Sequence, residues 1–101
     1  MTDDVIAFVR AGLANDIDMA RQTGNMLVTR GVSELGVDRD AAERQARGGV
    51  EAAEAARQLF EDTVYPYLGT AGPTGRIAER QLRIMACMFA DHAGFQPEWR
   101  P

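Results

Sequence analysis

The spacing of apolar residues is what most limits the folds open to this chain. Val5, Phe8, Val9, Leu13, Ile17 and Ala20 recur at intervals of three and four, the repeat that gathers side chains on one face of an α-helix. The spacing predicts a helix over 3–22. Thr2 would cap it, Asp3 and Asp4 would complement the dipole in its first turn, and Gly24 would stop it. Ala42, Ala46, Val50, Ala53, Phe60 and Val64 repeat the pattern and predict a long helix over 39–64. Asp38 or Asp40 would cap this helix, with Glu43 three residues after Asp40 as in a capping box. Pro66 has no amide hydrogen and turns Tyr65 away from helical geometry, so the helix should end or kink there.

A third helix is expected over 75–93, with Ile77, Leu82, Met85, Met88 and Phe89 as its apolar face and Gly94 as a left-handed cap. The stretch from Leu68 to Gly75, rich in glycine and holding Pro73, is a strong loop signal. Residues 24–36 are the ambiguous segment. Val28, Val32 and Leu35 fit a helix, Met26-Leu27-Val28-Thr29 passes equally for a short strand, and Gly31 weakens both. A short extra helix at 25–35 is the form expected. Trp99 should pack against the bundle, because a large amphipathic ring is rarely left in water. The fold class is therefore all-α, a small helical bundle of three main helices in a single domain, 1–101.

A chain of 101 residues is long enough to fold without disulfides or a metal. Cys87, its single cysteine, cannot form an internal disulfide and suits a reducing compartment. No apolar run approaches the roughly 18 residues of a membrane span, and the opening Met-Thr-Asp-Asp is not a basic signal region. A cytoplasmic setting follows as the expectation. Fifteen acidic residues stand against eleven basic ones, all arginine, for a formal charge of −4. With no dominant basic face, nucleic acid is not an expected partner, and neither is a membrane.

Catalytic, metal-binding and cofactor-binding residues are not expected. Cys87 and His92, the one nucleophile and base available, would point about 140° apart on a single helix. One histidine and one cysteine do not make a zinc site, no acidic run has the spacing of a calcium loop, and Asp16 and Asp18 fall on different faces.

Three features carry candidate functions. Arg76, Arg80 and Arg83 form a basic stripe on the last helix, and Glu51, Glu54 and Glu61 an acidic stripe on the long one. The arginines would be solvated, paired with those glutamates, or an interaction or anion site. Ala46, Gly49, Ala53 and Ala56, with Gly48, make the long helix thin, which suits close packing within the chain, a dimer face, or a kink. Met19, Met26, Met85 and Met88 fill core by default and become an adaptable partner surface only if exposed together.

The segment Leu82-Arg83-Ile84-Met85-Ala86-Cys87-Met88-Phe89-Ala90-Asp91-His92-Ala93-Gly94-Phe95-Gln96-Pro97-Glu98-Trp99-Arg100-Pro101 resembles the tail of a family of small actinobacterial and actinophage proteins, catalogued as a domain of unknown function. That tail ends in Ala-Asp-His, a glycine with an aromatic, and Glu-Trp-Arg-Pro. Asp3-Asp4-Val5-Ile6-Ala7-Phe8-Val9-Arg10 resembles the family's N-terminal helix. The middle departs from the family pattern, lacking its tryptophan-containing segment and histidine-rich stretch. The resemblance implies an origin in actinobacteria or their phages and no chemistry.

The leading expectation is a non-enzymatic helical interaction module, phage- or mobile-element-derived, that binds another protein or itself. The alternative is a small-molecule or anion-binding protein using Arg76, Arg80 and Arg83 with Tyr65 or Tyr67.

Overall fold

The computed structural model describes residues 2–101, and no strand occurs among them. Helix α1 spans Thr2–Met26, a π-helical turn covers Leu27–Gly31, and α2 covers Val32–Leu35. Helix α3 spans Arg39–Thr63, a 3-10 turn follows at Tyr65–Tyr67, α4 spans Gly72–Cys87, and a last 3-10 turn covers Pro97–Trp99.

Local rules set several of these boundaries. Asp38, not Asp40, caps α3: its carboxylate accepts the Ala41 N–H at 3.0 Å, so the box with Glu43 does not form. Pro66 closes α3 as expected, and Pro73 sits in the first turn of α4, where a missing N–H costs nothing. Helix α4 therefore starts three residues earlier than its spacing predicted. It also ends earlier, at Cys87. From there tight turns carry the chain to His92, and Gly94 takes the expected left-handed conformation at φ +93°.

Other boundaries are decided by packing. Thr2 is already helical and not a cap, and Gly24 does not stop α1. A side chain at Gly24 would come within 2.9 Å of Ala46 Cβ and 3.3 Å of its Cα, so at this glycine α1 and α3 approach too closely for a side chain to fit without movement. The ambiguous segment is helical throughout. Thr29 and Ser33 hydroxyls donate to carbonyls four residues back, at 2.7 and 2.8 Å, and Gly36 at φ +70° ends the run.

Packing divides the chain into two units. Residues 1–13 and 57–101 make the first, whose core holds Val5, Val9, Leu13, Phe60, Val64, Ala78, Leu82, Ala86, Phe89 and Trp99. Arg10 ties α1 to α3 here through two parallel hydrogen bonds to Glu61, at 2.7 and 2.8 Å. Residues 14–56 make the second unit, a hairpin of two helical limbs. Ile17, Ala42, Gly24 and Gly31 are buried in it, and Arg21 reaches Glu54 across the limbs at 3.7 Å.

Candidate functional site

Helix α4 has two apolar faces, and the one turned inward is built from the smaller residues. Gly75, Ala78, Leu82 and Ala86 are buried, with Phe89 following just beyond the helix end. Facing solvent are Ile77, Ile84 and Met88, exposed by 59%, 47% and 61%. At about 100° per residue these three fall within about 40° of one another, on the side opposite Leu82. Sequence reasoning placed Ile77, Met85 and Met88 on the core face because it followed the larger side chains. The structure corrects this: Ile77 and Met88 are outside and Met85 is half-buried. Ala78, Leu82, Ala86 and Phe89, at intervals of four, four and three, were the signal for the true inner face.

The three arginines line one edge of this outward stripe. Arg80 lies about 60° from Ile77 around the helix, Arg76 about 100° and Arg83 about 120°, all to the same side. Together with Glu79 and Pro101 they frame a shallow depression of about 280 Å³. Arg83 meets Glu79 one turn earlier at 3.4 Å. Among the described residues, no carboxylate lies within ion-pair distance of Arg76 or Arg80. Two glutamates of the acidic stripe are engaged by α1, Glu61 with Arg10 and Glu54 with Arg21. Within the first unit, Glu61 thus pairs with α1 and not with the arginines of α4.

Tyr65 and Tyr67 do not line the depression. Tyr65 is committed to another cluster, with the Arg10 guanidinium 4.3 Å from its ring centre and Phe60 packed at 6.4 Å. The hydrogen bonds from Arg10 hold the Glu61 carboxyl below the usual glutamate range, and the same contact pushes the Arg10 guanidinium up. Cys87 is half-buried at the end of α4, and His92 packs its ring on Phe89 at 5.3 Å.

The candidate small-residue face divides. Ala46 meets Gly24, Ala53 and Ala56 are half-buried, and Gly49 is exposed, with nothing within 4 Å of where its side chain would stand. Gly48 is equally open, and α3 continues unbroken through both glycines. Among the described residues, nothing comes near enough to offset their low helix propensity. Met19 and Met26 are exposed as well, so Met19, Met26 and Met88 leave the core that methionines fill by default.

Next to the depression, which Pro101 helps to frame, the tail closes on α1. Phe8 packs against Trp99 at 5.1 Å and Phe95 at 6.0 Å, Phe95 meets Trp99 edge-on at 5.9 Å, and Arg100 lies over the Phe95 ring. Trp99 is buried, as its ring requires. The N-terminal helix and the aromatic tail thus meet in one clasp. No curated protein and no solved structure matches the chain. A family model covers nearly all of it, residues 2–101, and the chain belongs to that family, DUF6221, a family of unknown function.

Proposed function

We propose that this chain is a non-enzymatic protein-interaction module that docks through the outward face of α4. One observation carries the reading: α4 turns Ile77, Ile84 and Met88 to solvent while burying alanines. Scattered surface apolar residues are ordinary, but three large ones aligned on one helix face, rimmed by charge, form the kind of stripe that a partner covers. A helix with two apolar faces satisfies only one of them inside its own unit.

The setting that fits this role is cytoplasmic, given the lone thiol, in an actinobacterium or one of its phages, as the tail implies. An anion or small-molecule site on the same arginines is the second reading. Its support is the depression framed by Arg76, Arg80 and Arg83; its weakness is that Tyr65 and Tyr67 take no part and the basin is shallow.

The test compares wild type with Ile84→Asp as bait in an actinobacterial lysate. A stoichiometric partner should be held by wild type and lost by the variant, while the variant's unfolding curve stays unchanged. A partner retained equally by both would remove α4 as the docking face.

A further inference from the structure

We infer that the partner of the α4 face is an acidic amphipathic helix, an inference that rests on the docking role proposed above. The stripe from Ile77 to Met88 is about 17 Å long at 1.5 Å per residue, three turns of helix, and suits a helix laid along it. Its two edges differ. One carries Arg76, Arg80 and Arg83, with Glu79 paired to Arg83 and with Asp4 and Glu98 lining the adjoining hollow on the Arg83 side, which leaves Arg76 and Arg80 as the unpaired charges. The other carries Thr74, Gln81 and Met85, all uncharged. A complementary helix has apolar residues at three-and-four spacing and aspartates or glutamates along one edge only, where guanidinium forks can bind carboxylates in two-pronged fashion.

Charge argues against the two other occupants. A second copy packed antiparallel through the same stripe sets arginine edge against arginine edge. Packed parallel, it sets arginines against Thr74, Gln81 and Met85, so the most that either arrangement brings is the copy's Glu79, one carboxylate already paired with its own Arg83 against three arginines. An anionic membrane would attract the arginines, but the whole chain carries −4 and the stripe offers no aromatic residue to the lipid boundary. An acidic helix answers both the apolar stripe and the unbalanced edge.

The experiment selects binders to the full chain from a displayed library of amphipathic helical peptides, with both edges randomised. Selected helices should carry acidic residues along one edge. Their binding should weaken by about tenfold or more in a chain carrying Arg76→Glu, Arg80→Glu and Arg83→Glu, and with rising salt. Exchanging the peptide's acidic residues for lysine should restore binding to that charge-reversed chain. Selected helices with neutral or basic edges, still lost on Ile84→Asp, overturn the acidic partner and leave the docking face standing. Helices indifferent to Ile84→Asp, with the variant folded by circular dichroism, overturn both. No selected helix at all overturns the inference, in favour of a second copy if wild type is dimeric and Ile84→Asp monomeric. If wild type instead binds phosphatidylserine vesicles and the charge-reversed chain does not, a membrane takes the partner's place.

Discussion

Three glycines within the long helices should respond to alanine in opposite directions, and the difference measures how closely α1 and α3 approach. At Gly48 and Gly49 a new methyl meets nothing within 4 Å, so only backbone propensity acts. Each alanine there should stabilise by about 0.5–1 kcal/mol. Gly24 gains the same propensity, but its methyl would stand 2.9 Å from Ala46 Cβ and 3.3 Å from Ala46 Cα. Neither atom can rotate away, because both are fixed to the α3 backbone. The limbs would have to separate by a few tenths of an ångström, and overpacking of this kind costs about 1–3 kcal/mol. Propensity is common to all three sites and cancels in the comparison. Gly24→Ala should therefore unfold below Gly48→Ala by about 1–3 kcal/mol, a gap of at least about 4 °C in a domain of this size. Thermal unfolding followed by circular dichroism reads it directly. Ala46→Gly removes the nearer contact and should rescue part of the loss when combined with Gly24→Ala, giving a coupling energy of about 1 kcal/mol. If Gly24→Ala raises the midpoint as much as Gly48→Ala, the close approach is wrong.

Further expectations concern the first unit. Glu61→Gln should cost up to about 1 kcal/mol at neutral pH, since the pair is partly exposed but two-pronged. Because Glu61 titrates below its usual range when folded, that contribution is complete above the ordinary glutamate value of about 4.3 and disappears as pH falls through the folded one. Denaturant titrations at neutral and acid pH should show the wild type and variant converging; a constant gap would count against the Arg10 contact. Leu82→Ala should cost about 2–5 kcal/mol, while Ile77→Asp and Ile84→Asp stay within about 0.5 kcal/mol of wild type. Larger losses at Ile77 and Ile84 than at Leu82 would mean that α4 is turned the other way. Trp99 should fluoresce as a buried indole, and Phe8→Ala should shift its emission to the red; a water-like maximum in the wild type would contradict the clasp.

The rods themselves were legible in the sequence, because Val5, Val9, Leu13 and Ile17 on one side and Ala42 and Phe60 on the other keep their spacing wherever they pack. The stop at Pro66 is local chemistry, and a local rule found it; local rules also offered Asp38 beside Asp40 as the cap, and gave Gly94 its left-handed backbone but as the cap of a helix that in fact ends at Cys87. Gly24 was misread by the same kind of rule. A helical glycine signals an end when seen alone, and only a neighbouring helix makes it a point of contact. The faces of α4 were misread for a related reason. Phe60, Phe89 and Trp99 already fill the interior, so α4 comes close with alanines and its isoleucines are left outside. Arg76, Arg80 and Arg83 stood out as a stripe from spacing alone. That they border an apolar one depended on which way α4 was turned.

The division of the chain has a consequence for how such a sequence can change. The first unit is made from two separated stretches, 1–13 and 57–101, while 14–56 leaves it and returns as a two-limbed excursion. Because the clasp and the main core draw no residue from that excursion, its limbs can shorten, lengthen or drift in matched steps, one helical repeat at a time, without disturbing the aromatic joint. Removing or adding a matched helical repeat in both limbs should therefore leave the surroundings of Trp99 as they are, so the length of the middle and the integrity of the joint are separable properties of this chain.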